Sequence, residues 1–205
     1  IPTCTNMSLF KPTSNTKTRN TGVTIAMVGS VGSWYLFENM LQCVGRIFLA
    51  NPDARLLVVN KADHALIRQR LADMGIDGDR YEITAADYSE VAAYIGHMDF
   101  GLFFIKPVFS KKASAPTKLG EFLACGVPCL TNAGVGDMDS ILQSSRTGVC
   151  LEEFSSEAYD KAYQQMMNLL GEDGLAERCR QTAEQYFSLE QGIADYDRIY
   201  QELAS

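Results

Sequence analysis

The sequence predicts an α/β domain: a doubly wound, mostly parallel sheet covered by helices on both faces. Three observations carry this expectation. Short aliphatic runs alternate along the chain with longer segments whose apolar residues recur at helical spacing. Glycine-rich turns follow two of those runs, at residues 29–33 and 132–139. The length, 205 residues with 46% hydrophobic side chains, suffices for one sizeable core and strains the size range of two full domains.

Residues 1–20 open with Ile1, Pro2 and Thr3 and then run polar and basic through Lys11, Lys17 and Arg19, which reads as an interdomain connector or surface arm. Residues 21–28 form the first strand, closed by a turn containing Gly29, Ser30, Gly32 and Ser33. Leu36, Met40, Leu41, Val44, Ile47 and Phe48 then place an apolar stripe on a helix over 34–50. A second strand at 55–59 and a second helix over 62–74 follow, ended by Gly75 and Gly78. A short strand at 80–84 precedes a helix over 88–95, and a buried strand spans 100–105.

The loop after it opens a helix whose interior holds Leu119, Phe122 and Leu123, and a strand at 127–131 comes next. A helix beginning near Ser140 leads to a shorter apolar run at 148–151. Helices over 155–170 and 175–186 complete the body, which spans residues 21–186. A terminal helix lies within 187–205, with Ile193, Tyr196, Ile199, Tyr200 and Leu203 near one face.

Charge narrows the partners. Eighteen basic against 25 acidic residues leave a formal charge of −7, which disfavours nucleic acid held by general phosphate attraction. Local groups can still hold one anionic small molecule. No stretch approaches a membrane span of about 18 apolar residues. The six cysteines, Cys4, Cys43, Cys125, Cys129, Cys150 and Cys179, lack metal or redox spacing and read as reduced, mostly buried residues of a cytoplasmic protein. Peripheral attachment to a membrane, or a missing membrane-associated portion, fits this reading.

Two stretches carry chemistry. The turn through Gly32 and Ser33 joins a strand to a helix, where backbone N–H groups receive phosphate, although a tight structural turn has the same composition. In the block from Pro116 to Pro128, Lys118 and Glu121 stand three apart and share a helical face. A cation beside helix-start amides can bind a diphosphate, and a carboxylate can accept from sugar hydroxyls; a solvent-facing ion pair is the plainer alternative. Gly134, Val135 and Gly136 follow another strand with room for close ligand approach, while Asp137 or Asp139 can orient hydroxyls or cap the next helix. His64 and His97, the two histidines, fall in no ligand cluster or triad, and Lys61 reads as a surface lysine after a strand.

The chain resembles the C-terminal, nucleotide-sugar-binding domain of a family 4 glycosyltransferase with the two-domain GT-B fold. Residues 1–12 resemble the segment entering that domain, residues 116–128 its donor-site helix, and Gly134, Val135, Gly136 and Asp137 with Ile141 its next loop and helix. Weaker similarity runs from about Gly22 to Tyr186. The resemblance implies a Rossmann-like half of a GT-B enzyme that transfers a sugar from a nucleoside-diphosphate-sugar to a carbohydrate, lipid-linked or other hydroxyl acceptor, with retention of configuration. The nucleotide sugar is substrate, and neither a further cofactor nor a metal is implied. Glu121 matches the second acid of the paired-glutamate motif, directed at ribose hydroxyls; Lys118, two after Pro116, fits its Pro-x-Lys form, directed at the diphosphate, and Leu119 beside it is expected in the donor site as well.

Two departures stand out. Ala113 occupies the place of the first glutamate, which leaves the donor sugar unassigned, and the first loop lacks the arginine and lysine of many relatives. Backbone groups at Gly32 and Ser33 and the position of Thr84 near the nucleotide base complete the expected donor site. The resemblance also implies a missing N-terminal domain that supplies most of the acceptor site, so this chain alone is expected to be inactive. A GT-B sugar-nucleotide epimerase and a noncatalytic nucleotide-binding or assembly module are the alternatives.

Overall fold

The computed structural model describes residues 1–13 and 22–204. The stretch read as an arm at 14–20 lies outside the described residues. Six strands, β1 (Thr24–Val28), β2 (Arg55–Val59), β3 (Tyr81–Thr84), β4 (Phe100–Leu102), β5 (Cys129–Asn132) and β6 (Gly148–Leu151), form one sheet in the order β3-β2-β1-β4-β5-β6. Every pairing is parallel. The chain therefore winds outward from β1 in one direction and from β4 in the other, leaving a switch point between them where loops diverge and a crevice opens.

The helices are α1 (Phe37–Ala50), α2 (His64–Asp73), α3 (Tyr88–Ile95), α4 (Thr117–Ala124), α5 (Met138–Ser145), α6 (Ser156–Leu170), α7 (Leu175–Phe187) and α8 (Leu189–Ala204). Helix α1 buries Met40, Leu41, Val44 and Ile47, the stripe visible in its sequence, and packs on α6. That contact is pinned by the Arg46–Asp160 ion pair and by Asn51 donating to the Tyr163 hydroxyl at 3.0 Å. Helix α4 packs on α7, and α5 touches α7 as well. Ile25, Leu56, Val58, Phe100, Leu102 and Leu130 are fully or almost fully buried along the sheet. Each such aliphatic or aromatic side chain contributes about 1.5–3 kcal/mol over exposure.

Several boundaries differ from the sequence expectation for identifiable reasons. The first helix starts at Phe37 instead of residue 34, because residues 34–36 run antiparallel to 104–106: the Leu36 amide donates to the Phe104 carbonyl and the Lys106 amide to that of Trp34, both at 2.9 Å. The same pairing ends β4 at Leu102. Strand β5 starts at Cys129 because Pro128 has no N–H for the ladder, though its carbonyl accepts from Gly101. Helix α5 starts at Met138 with Asp137, not Asp139, in the capping position. Asp139 lies in the first turn, where a carboxylate suits the positive end of the helix.

Residues 1–10 pack against the domain. The Thr5 amide donates to the Phe187 carbonyl at 2.7 Å and Phe10 is fully buried. Arg180 gathers the carbonyls of Met7, Phe10 and Ala124 with one nitrogen, joining this segment to the end of α4. Helix α8 begins directly beside it and leaves Ile193, Tyr196, Tyr200 and Leu203 exposed. All six cysteines are free, with Cys43, Cys125, Cys129 and Cys179 buried. Among the described residues no helix is long and apolar enough to cross a membrane.

Candidate functional site

The crevice is built from the carboxyl ends of β1, β2 and β3 and the start of α4. After β1 the chain turns at Gly29, whose φ of +88° is a conformation that side-chain-bearing residues rarely adopt. The missing Cβ has a second use. A Cβ at Gly29 would stand 2.9 Å from Cε and 3.1 Å from Nζ of Lys118, so the bare backbone makes room for that side chain. The Lys118 ammonium then lies 3.6 Å from the centre of the Tyr35 ring. The loop after β1 has no cation of its own, and α4 lends it one across the switch point.

Lys118 is half-buried, and loss of water around its ammonium pushes the pKa down to about 7, against the opposing pull of Glu121. One turn further along α4, Glu121 is only 7% exposed. Burial drives its carboxyl above the ordinary range, while a hydrogen bond from Tyr88 and the charge of Lys118 hold it down. Tyr88 is itself raised, first by burial and then by Glu121, and its ring meets Phe10 edge-on at 5.4 Å. Lys118 and Glu121 thus have different immediate neighbours, Tyr35 and Tyr88, and Glu121 faces inward. A surface ion pair is not what they form.

Asparagines fix the surrounding loops. Asn60, 2% exposed at the end of β2, donates to the Gly29 carbonyl at 3.0 Å and accepts from the amides of Ala62 and Asp63. Asn132, at the end of β5, accepts from the Ile105 amide at 2.7 Å and donates to the Ile105 and Ala133 carbonyls. A cleft of about 420 Å³ opens beside Gly29, lined by Ser30, Asn60, Lys61, Ala86 and Tyr88. That size suits a small organic ligand.

The other expected site residues are placed as follows. Gly32 is open around its Cα, with nothing within 4 Å of a Cβ there, and Ser33 takes the left-handed conformation with φ of 57°. The Leu119 side chain is fully buried and its amide donates to the Pro116 carbonyl, so its part is in the core beneath the site. Val135 is likewise fully buried, between Gly134 with φ of +81° and Gly136 with φ of +51°. The Gly136 amide donates to the Lys111 carbonyl at 3.0 Å, tying this turn to the loop that precedes α4. Thr84 ends β3; its carbonyl accepts from the Asn60 amide and its hydroxyl donates to the Ala85 carbonyl at 3.3 Å.

Lys61 pairs with Asp87 at 2.9 Å on the surface, and one ring nitrogen of His64 lies 2.5 Å from the Asn60 carbonyl. Tyr35, Tyr88, Asn60 and Asn132 were not singled out by sequence reasoning. The two asparagines carried a readable signal, a polar residue at the carboxyl end of an aliphatic run. The two tyrosines carried none, since their role depends on contacts between loops.

The fold is that of the C-terminal, Rossmann-like half of glycosyltransferases with the GT-B architecture. Among solved structures, sucrose-phosphate synthase from Thermosynechococcus elongatus superposes with a TM-score of 0.76 at 19% identity, covering 100% of this chain and 53% of that one. The C-terminal domain of a glycosyl transferase group 1 family protein from Francisella tularensis gives 0.64 at 16% identity, covering 90% of this chain and 99% of that one. By sequence, N-acetyl-alpha-D-glucosaminyl L-malate synthase from Bacillus anthracis is 27% identical over 165 residues, 80% of this chain and 41% of that protein. No protein-family model matches the chain. The chain spans about half the length of sucrose-phosphate synthase and less of the malate synthase.

Proposed function

We propose that this chain is the donor-binding half of a glycosyltransferase that takes a sugar from a nucleoside-diphosphate-sugar and passes it to a hydroxyl acceptor. The observation that carries the reading is Lys118 reaching from α4 to Gly29, with buried Glu121 one turn behind it. In this reading the Lys118 ammonium and the open backbone at Gly32 and Ser33 meet the diphosphate, and Glu121 accepts from the ribose hydroxyls. Thr84 and the 134–136 turn flank the remainder of the nucleotide sugar. The relative from Bacillus anthracis, named as a synthase of N-acetyl-alpha-D-glucosaminyl L-malate, supports a sugar-joining chemistry.

Transfer is driven by stabilising the departing diphosphate and aligning it with the acceptor, and a preceding domain supplies the acceptor side. The exposed apolar stripe of α8, beside the segment that enters at residues 1–10, is the face such a domain covers. Residues 1–20 connect to it, 21–186 hold the nucleotide sugar, and 187–205 reach back.

The test is calorimetric titration of this chain with a panel of nucleoside diphosphates and nucleotide sugars, repeated with Lys118→Ala and Glu121→Ala after checking their folding. Saturable binding lost in both variants supports the donor reading. The longer protein is then assayed with the selected donor. Isomerised nucleotide sugar formed without acceptor would instead define an epimerase, and nucleotide binding with neither reaction a noncatalytic module.

A further inference from the structure

The sheet edge formed by β6 lies away from the crevice, with β4 and β5 between it and β1. The Thr147 and Leu151 carbonyls accept from the Cys129 and Ala133 amides, so in this parallel ladder the alternate residues Gly148 and Cys150 turn their N–H and C=O groups away from β5. Among the described residues, none of those groups bonds to another element. The edge lies in a groove of about 820 Å³, walled by Leu142 and Gln143 of α5 and by Ala158, Ala162 and Gln165 of α6. From Glu157 to Leu169, α6 lines it for about 18 Å, the length of five to six extended residues at about 3.3 Å each.

Open edges are ordinarily guarded by a charge on the strand, a proline or a bulge. Strand β6, with Gly148, Val149, Cys150 and Leu151, has none of these and keeps unbroken register with β5. The charges instead gather where the chain leaves β6: Glu152, Glu153 and Glu157 line the groove, exposed and outside any ion pair among the described residues. Of the two cations in the lining, Arg146 is held by Glu172, which leaves Lys161 against three carboxylates. We propose that β6 receives an extended, basic segment of a partner protein as a seventh strand, its backbone bonded to Gly148 and Cys150 and its cationic side chains set against Glu152, Glu153 and Glu157. Donor binding uses none of these groups, and the inference stands apart from that reading.

The probe is a dye-labelled, end-capped heptapeptide of alternating lysine and valine, titrated into this chain and followed by fluorescence anisotropy. Expected is saturable one-to-one binding, weakened about tenfold or more in Glu152→Lys with Glu157→Lys, two exposed changes that leave the unfolding midpoint in place. Hydrogen exchange supplies the readout that charge attraction alone would not move: the Gly148 and Cys150 amides exchange more slowly at saturating peptide. The same heptapeptide with every backbone nitrogen methylated binds about tenfold more weakly or not at all. Absence of binding, equal binding of the methylated peptide, or unchanged exchange at Cys150 would each overturn the proposal. So would a dimer in sedimentation whose formation slows the same amides, because a second copy of this chain would then be the occupant.

Discussion

The Lys118 ammonium stands 3.6 Å from the centre of the Tyr35 ring, and its stem closes against the bare Cα of Gly29. A residue of α4 therefore completes the loop that follows β1, although 89 positions separate Lys118 from Gly29 in sequence. Local burial sets the amine's pKa near 7, which makes its protonation state sensitive to whatever anion arrives.

Binding of a nucleoside diphosphate is expected to take up a proton. The free amine titrates at about 7, and a bound diphosphate favours its charged form, so affinity falls by up to about tenfold per pH unit between about pH 7 and 9. Calorimetry at about pH 8 in buffers of different ionisation enthalpy reads this uptake, which approaches one proton and vanishes in Lys118→Met. The folding sign is the converse of a paired lysine. Because the folded value is depressed, the unfolded chain binds more protons between about 7 and the ordinary 10.5, and this site adds stability as pH rises through that window.

Glu121→Gln separates binding from folding. The folded carboxyl lies above the ordinary 4.5, so the stability linked to it is fully present below 4.5 and is lost as pH rises through the folded value. The variant has no such loss. Thermal melts should show wild type and variant closest near pH 4 and the variant gaining as pH approaches 7, while its affinity for nucleoside diphosphates drops about ten- to hundredfold.

Asn132→Ala should destabilise the chain by about 2–3 kcal/mol in urea unfolding, because it leaves the buried Ile105 amide without its acceptor. Asn132→Asp keeps that acceptor but loses the donor to the Ile105 and Ala133 carbonyls, so it too is destabilising.

At Gly136 a Cβ would run into the Ser114 carbonyl, and its φ of +51° disfavours any side chain. Gly136→Ala is expected to cost about 2 kcal/mol or more and to displace the 110–116 loop. A chemical-denaturation midpoint, together with weakened nucleotide binding, checks both effects.

On α8, Ile193→Lys with Tyr200→Lys alters exposed positions only. The stability of this chain, read from its chemical-denaturation midpoint, should change by less than about 0.5 kcal/mol.

Much of this architecture is written locally. The runs at β2 and β6 and the helix Tyr88–Ile95 match their sequence boundaries, because aliphatic β-branched runs and helical stripes report burial without help from the rest of the chain. Boundaries slipped where nonlocal pairing prevailed, as at residues 34–36, which look helical but bond to 104–106. For the candidate site, position in the strand–loop–helix order pointed to Lys118 and Glu121. Tyr35 and Tyr88 were invisible because each acquires its role only when α4 is laid beside a distant loop.

The segment at residues 1–10 touches the site from two directions. Arg180 couples it to the last turn of α4 through the Ala124 carbonyl, and Phe10 braces the Tyr88 ring that serves Glu121. Leverage follows from this geometry. A displacement of residues 7–10 is delivered to both ends of the Glu121–Tyr88 contact together, through the end of α4 on one side and the Tyr88 ring on the other.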